Sequence, residues 1–206
     1  MVSENTDRSE RGGNALHLRG NTEGYLAISS KENGSFTDRD EREWPLARTR
    51  WTKYYLHKNG SLSTEESNDF QLSFKADSEG INFFTEPLTE ELEITGPAAA
   101  ALLISSSTED ADIFLTIRVL DPNGNDVSFV AANDPHGVIA TGWLRASHRK
   151  MDEEKSLPYR PYHTHDELQP LKKGEKVKMN IEIWPTSIII PKGYRLGVNI
   201  GGRDFR

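Results

Sequence analysis

The stretch KVKMNIEIWPTSIII, Lys176–Ile190, decides how the chain is read. In its first nine residues Val177, Met179, Ile181 and Ile183 alternate with Lys178, Asn180 and Glu182, the period of a strand that buries one face. Pro185 then interrupts the run, because proline has no N–H to give to a ladder. Ser187–Ile190 therefore reads as a second, shorter strand. The same pattern recurs along the chain. FQLSFK (70–75) sets Phe70, Leu72 and Phe74 on one face, and IFLTIRVL (113–120) stops at DPNGND (121–126). There Asn123-Gly124 suits a tight hairpin turn needing positive φ, and WTKYYLH (51–57) stops in the same way at Asn59-Gly60.

Further strands are expected at YLAIS (25–29), INFFT (81–85), LEIT (92–95), AAALLIS (99–105), VSFVA (127–131), GWLRAS (142–147) and YRLGVNI (194–200), about a dozen short strands in all. No 12-residue window carries a helical apolar stripe, and Pro87, Pro97, Pro122, Pro185 and Pro191 interrupt any candidate. The expected fold class is all-β, an antiparallel β-sandwich of the jelly-roll kind.

At 206 residues the chain is long enough for one domain with a sizeable core. The net charge of −7 opposes a phosphate backbone, so nucleic acid is not an expected partner. With no cysteine, thiolate nucleophiles, disulfides and cysteine zinc sites are excluded, which suits a reducing compartment. The longest apolar run, Ala98–Ile104, is far short of the roughly 20 residues of a membrane helix. The polar start MVSENTDRSERGGN has no secretory apolar segment, so a cytoplasmic location is expected. The sequons at Asn33 and Asn59 then read as turns. Residues 1 to about 14 have the composition of a disordered tail.

Each constellation that could carry chemistry has a plainer explanation. G-x-S-x-G, the strained turn that lifts a hydrolase serine above its sheet, is absent. Ser105, Ser106 and Ser107 lie near Asp110 and Asp112, a composition that suits a turn bonding its own backbone. Asp121, Asn123, Asn125 and Asp126 offer oxygen ligands, but without EF-hand spacing. In YRPYHTHDELQP (159–170), His163 and His165 would share a face if extended, with Asp166 or Glu167 completing a two-His, one-carboxylate set. Pro158, Pro161 and Pro170 argue instead for an ordered irregular loop. No catalytic, cofactor-binding or metal residue is assigned, and no cofactor is expected. Trp44, Trp51, Trp143, Trp184, Tyr159 and Tyr162 could stack on a sugar face, which keeps a free-standing carbohydrate-binding module as the alternative reading.

Five segments together, DEREWPLARTRWTKYYLHKNGSLS, EITGPAAAALLISSSTEDADIFLTIRVLDPNGNDVSF, GWLRASHRKMD, LPYRPYHTHDELQPLKKGE and EIWPTSIIIPKGYRLGVNIGGRDF, resemble the C-terminal domain of X-Pro dipeptidyl-peptidases and cocaine-esterase-like acyl hydrolases. The resemblance runs from about Tyr25 to Arg206, and residues 1–20 match nothing in it. It implies a galactose-binding-like jelly roll spanning residues 21–206 that packs on an α/β-hydrolase domain and shapes its cleft. It also implies that the Ser-His-Asp triad lies outside this chain, which alone would be inactive. Relatives continue past GGRDF, so a closing C-terminal strand is expected to be missing. The open sheet edge this leaves would favour self-association.

Overall fold

The computed structural model describes residues 18–19, 23–25, 39–128 and 137–205. The tail expected over residues 1 to about 14, most of YLAIS, the sequon at Asn33 and the end of VSFVA lie outside them. Among the described residues the fold is all-β, with one 3-10 turn at Ala146–His148. A small antiparallel sheet joins β1 (Leu18–Arg19), β2 (Glu23–Tyr25) and β3 (Asp40–Glu41). A hairpin follows, β4 (Tyr55–Leu56) and β5 (Leu62–Ser63), turning at Asn59-Gly60 as the sequence predicts. Its turn touches β6 (Ile81–Phe84), where the Phe84 amide donates to the Gly60 carbonyl at 3.0 Å.

Two antiparallel sheets build the core. One has the order β6, β11 (Arg195–Gly201), β8 (Asp112–Leu120), β9 (Ala140–Arg145), and the other pairs β7 (Leu92–Ile104) with β10 (Val177–Ile190). Leu115 from β8 and Met179, Ile181 and Ile190 from β10 are fully buried between them. Each contributes about 1.5–3 kcal/mol by leaving water.

The expectation of many short strands is corrected at its proline breakpoints. LEIT and AAALLIS form one 13-residue strand through Pro97, and KVKMNIEIW and SIII form one 14-residue strand through Pro185. The two prolines lie at the same point of the ribbon. Ile183 pairs with Ala98 and Thr186 with Gly96, so β10 carries one extra residue where the register shifts. A bulge leaves residues unpaired in any case, and prolines there cost little ladder energy. The extra residue also reverses the phase of β10. Met179, Ile181 and Ile183 are buried before it, and Ile188 and Ile190 after it.

FQLSFK forms no strand. It alternates correctly but has no neighbouring strand to complete its hydrogen bonds, and Leu72 and Phe74 remain exposed. Val127 and Ser128 also lie outside any strand, although the Val127 amide bonds the Val119 carbonyl at 2.8 Å.

The two sheets meet where β9 runs against β10. A Cβ at Gly142 would fall 2.0 Å from the Glu182 carbonyl oxygen, so only glycine permits this approach. The Thr186 hydroxyl donates to the Ile139 carbonyl at 3.1 Å beside it. Gly142→Val should therefore force the sheets apart, costing about 3 kcal/mol and lowering Tm by roughly 6 to 12 °C. An unchanged thermal melt would show that the seam does not constrain the fold.

Candidate functional site

The histidine loop leaves β9 through the 3-10 turn and returns toward β10. It is an irregular ribbon: the Asp152 amide donates to the Tyr162 carbonyl at 2.9 Å, Leu157 to Arg160 at 2.9 Å and Thr164 to Lys150 at 3.1 Å. His163 and His165 do not act as a pair. Their ring centroids lie 6.0 Å apart, while His165 Nδ1 sits 3.0 Å from Nδ1 of His148, 17 residues earlier. His165 reaches it with φ of +54°, the only positive φ at a non-glycine among the described residues. Asp166 is engaged by Thr164 and by the Lys150 ammonium, which also meets Glu167 at 3.0 Å. Among the described residues no three histidine, cysteine, aspartate or glutamate side chains converge to hold a metal.

His163 is half-buried, and its Nε2 is buried without a hydrogen-bond partner. Burial, then repulsion from His165, lowers its pKa below the ordinary imidazole value, against the opposing pull of a hydrogen bond to the Asn180 backbone.

The serine-rich turn is occupied by its own structure. Ser106 Oγ lies 2.7 Å from Thr108 Oγ1 and accepts the Thr108 amide at 3.1 Å. Asp110 accepts the Ala111 and Ser147 amides, each at 2.9 Å, and the buried Ser147 hydroxyl at 2.6 Å. Burial alone would raise the Asp110 pKa, but the bonds from Ser147 and Ala111 outweigh it and hold the carboxyl low. Asp112 is paired through both oxygens with Arg145 at 2.8 Å, and that bond comes first in lowering its pKa. In the 121–126 turn, Asp121 accepts the amides of Asn123 and Asn125 at 2.8 and 2.9 Å, and Asp126 pairs with Arg118. These oxygens serve the turn and its neighbour.

Two histidine contacts escaped sequence reasoning. His57 Nε2 lies 2.9 Å from Ser63 Oγ across the β4–β5 hairpin, a juxtaposition recoverable from the Asn59-Gly60 turn. No comparable signal marks His148 and His165. The aromatic candidates fall into separate groups. Trp51 stacks on Tyr159 at 4.1 Å and 6°, pinning the loop to the segment before β4. Trp143 and Trp184 meet at 5.3 Å across the β9–β10 seam, each more than half exposed. Trp44 is exposed, and Tyr162 lies under the Lys155 ammonium. No helix of the described residues is long and apolar enough to cross a membrane.

An antiparallel β-sandwich with these turns is shared by several proteins of known structure or sequence. The crystal structure of a CocE/NonD family hydrolase from Staphylococcus aureus superposes with a TM-score of 0.81 at 27% identity, over 88% of this chain and 34% of that one. The cocaine esterase of a Rhodococcus species is 23% identical over 92% of this chain and 36% of its own length. A Mycobacterium bovis protein with a provisional serine-esterase assignment is 29% identical over 62% of this chain and 19% of its own. The chain thus spans between about a fifth and about a third of the length of these relatives. The model of the X-Pro dipeptidyl-peptidase C-terminal non-catalytic domain matches residues 16–206, and the chain belongs to that family.

His163 supplies a pH dependence. A base whose folded pKa is depressed contributes stability that is present above its unfolded value of about 6.5 and is lost as pH falls through the lower folded value. Tm should therefore fall on acidification from about pH 7.5 to about 5, and His163→Leu should reduce that fall. Equal acid sensitivity in both proteins, by pH-resolved thermal melts, would exclude His163 as a source.

Proposed function

We propose that the chain is an accessory β-sandwich, residues 21–206 preceded by a tail, that packs on an α/β-hydrolase catalytic domain and shapes its substrate cleft. The observation that carries this reading is the match over 88% of this chain to only 34% of a CocE/NonD hydrolase, at a TM-score of 0.81. The domain has no catalytic step of its own in this reading. In the assembled enzyme, acyl transfer would run through the activated serine and oxyanion stabilisation of the partner domain. The chain's contribution is rigidity and part of the cleft wall, and its place is the cytoplasm.

The purified chain should hydrolyse neither aryl esters nor X-Pro chromogenic amides, whereas the S. aureus hydrolase with its matching third replaced by residues 16–206 should fold and turn over ester. Turnover by the chain alone that vanishes in Ser106→Ala or His163→Ala would overturn the non-catalytic assignment. A folded but inactive chimera would overturn the cleft-shaping role.

Self-association belongs to the same reading. Among the described residues β7 pairs only with β10, and from Ala98 to Ile104 it carries no charge, with Leu103 67% exposed. Such an edge is a template for another strand. Sedimentation of the chain should show association that Ala99→Lys with Leu103→Lys abolishes. A wild-type monomer at all concentrations would reject it.

A further inference from the structure

The contact between His148 and His165 differs from every other bond that holds the 150–170 loop. The others are backbone bonds, side-chain bonds of Asp152, Ser156 and Thr164, ion pairs of Lys150 and Lys155, the Asn180–Met151 contact, the Trp51–Tyr159 stack and the bonds from Arg149 to the Ala146 and Gln169 carbonyls, and none of them joins two imidazoles. A bond between two imidazole nitrogens, 3.0 Å apart at Nδ1, requires one N–H and one free lone pair. It stands when both rings are neutral or when one is protonated. With both protonated, two N–H groups face each other with no acceptor, and two positive charges are held together. We propose that this pair is a proton-operated latch, closed near neutral pH and opened by double protonation, that releases the returning arm of the loop from the 3-10 turn.

The setting favours such a device. His165 holds a left-handed backbone, uncommon outside glycine though histidine adopts it more readily than most residues, and this turns its ring toward His148. The charged groups around the pair are Lys150, Asp166 and Glu167 on the loop, Arg149 beside His148, and Asp110, which anchors the 3-10 turn through Ser147. The third imidazole is His163, 6.0 Å from His165 between ring centroids. The Asp166 and Glu167 carboxylates are already paired with Lys150, so they compensate a second imidazolium poorly.

The test is hydrogen exchange on the full chain, corrected for the intrinsic rate, read at the Asp152, Leu157, Thr164 and Gln169 amides. As pH is lowered from about 7.5 to about 4 their exchange should accelerate roughly threefold to tenfold, the worth of one modest hydrogen bond, while amides of β8 and β11 change less. His148→Ala should leave the loop amides fast at every pH. His148→Asn, whose carboxamide can bond His165 in either protonation state, should keep them slow and remove the pH response. Loop protection that is constant with pH in the wild type would overturn the latch. So would a full pH response in His148→Asn, which would assign the effect to His163.

Discussion

The extra residue at Trp184-Pro185 is the constraint on which the rest of the structure depends. Without it, the two apolar phases of β10 could not both face inward, because a one-residue offset sends every following side chain to the other surface. Met179, Ile181 and Ile183 before the bulge and Ile188 and Ile190 after it would then compete for the core. The irregularity lies beside the point where β10 meets β9 at Gly142. One local insertion thus aligns the core, accommodates two prolines and lies beside the place where one sheet bears on the other. Trp143 and Trp184 cover that point from outside.

Much of this was legible in the sequence, because turn chemistry and period-two alternation act locally. Asn59-Gly60 turns as its residues require, with Gly60 at φ of +82°, and Asn123-Gly124 does the same at +88°. The errors come from non-local pairing. Pro97 and Pro185 look like breakers until the register shows them lying together across the ribbon, where a missing N–H on each breaks little. FQLSFK shows the opposite failure. Its alternation is as clean as that of β10, but a strand exists only beside another strand.

The candidate site was less legible than the fold. Two histidines spaced as H-x-H share a face only if the backbone is extended, and the left-handed turn at His165 rotates its ring away toward His148. Nothing in the spacing of residues 148 and 165 announces that contact, which depends on the path of the whole loop. The His57–Ser63 contact is different in kind. A hairpin centred on Asn59-Gly60 sets it, so turn grammar could have found it. Ser106 accepts the nearby Thr108 amide, a local bond its composition suggests, whereas the bond from the Ser147 amide to Asp110 spans 37 residues and is set by the fold.

Commitment of these side chains limits the chemistry open to them. A serine becomes a nucleophile only when a base is free to take its proton, and a carboxylate becomes a ligand or a base only when its lone pairs are unspent. Here Asp110 and Asp121 accept amides, Asp112 and Asp126 hold arginines, and Asp166 holds Lys150. Recruiting any of them to chemistry would first break the contact it makes. Two further features are of another kind: the paired indoles over the seam and the uncharged edge of β7 from Ala98 to Ile104. Apolar surface and an open strand edge act through shape and association rather than through proton transfer or ligation.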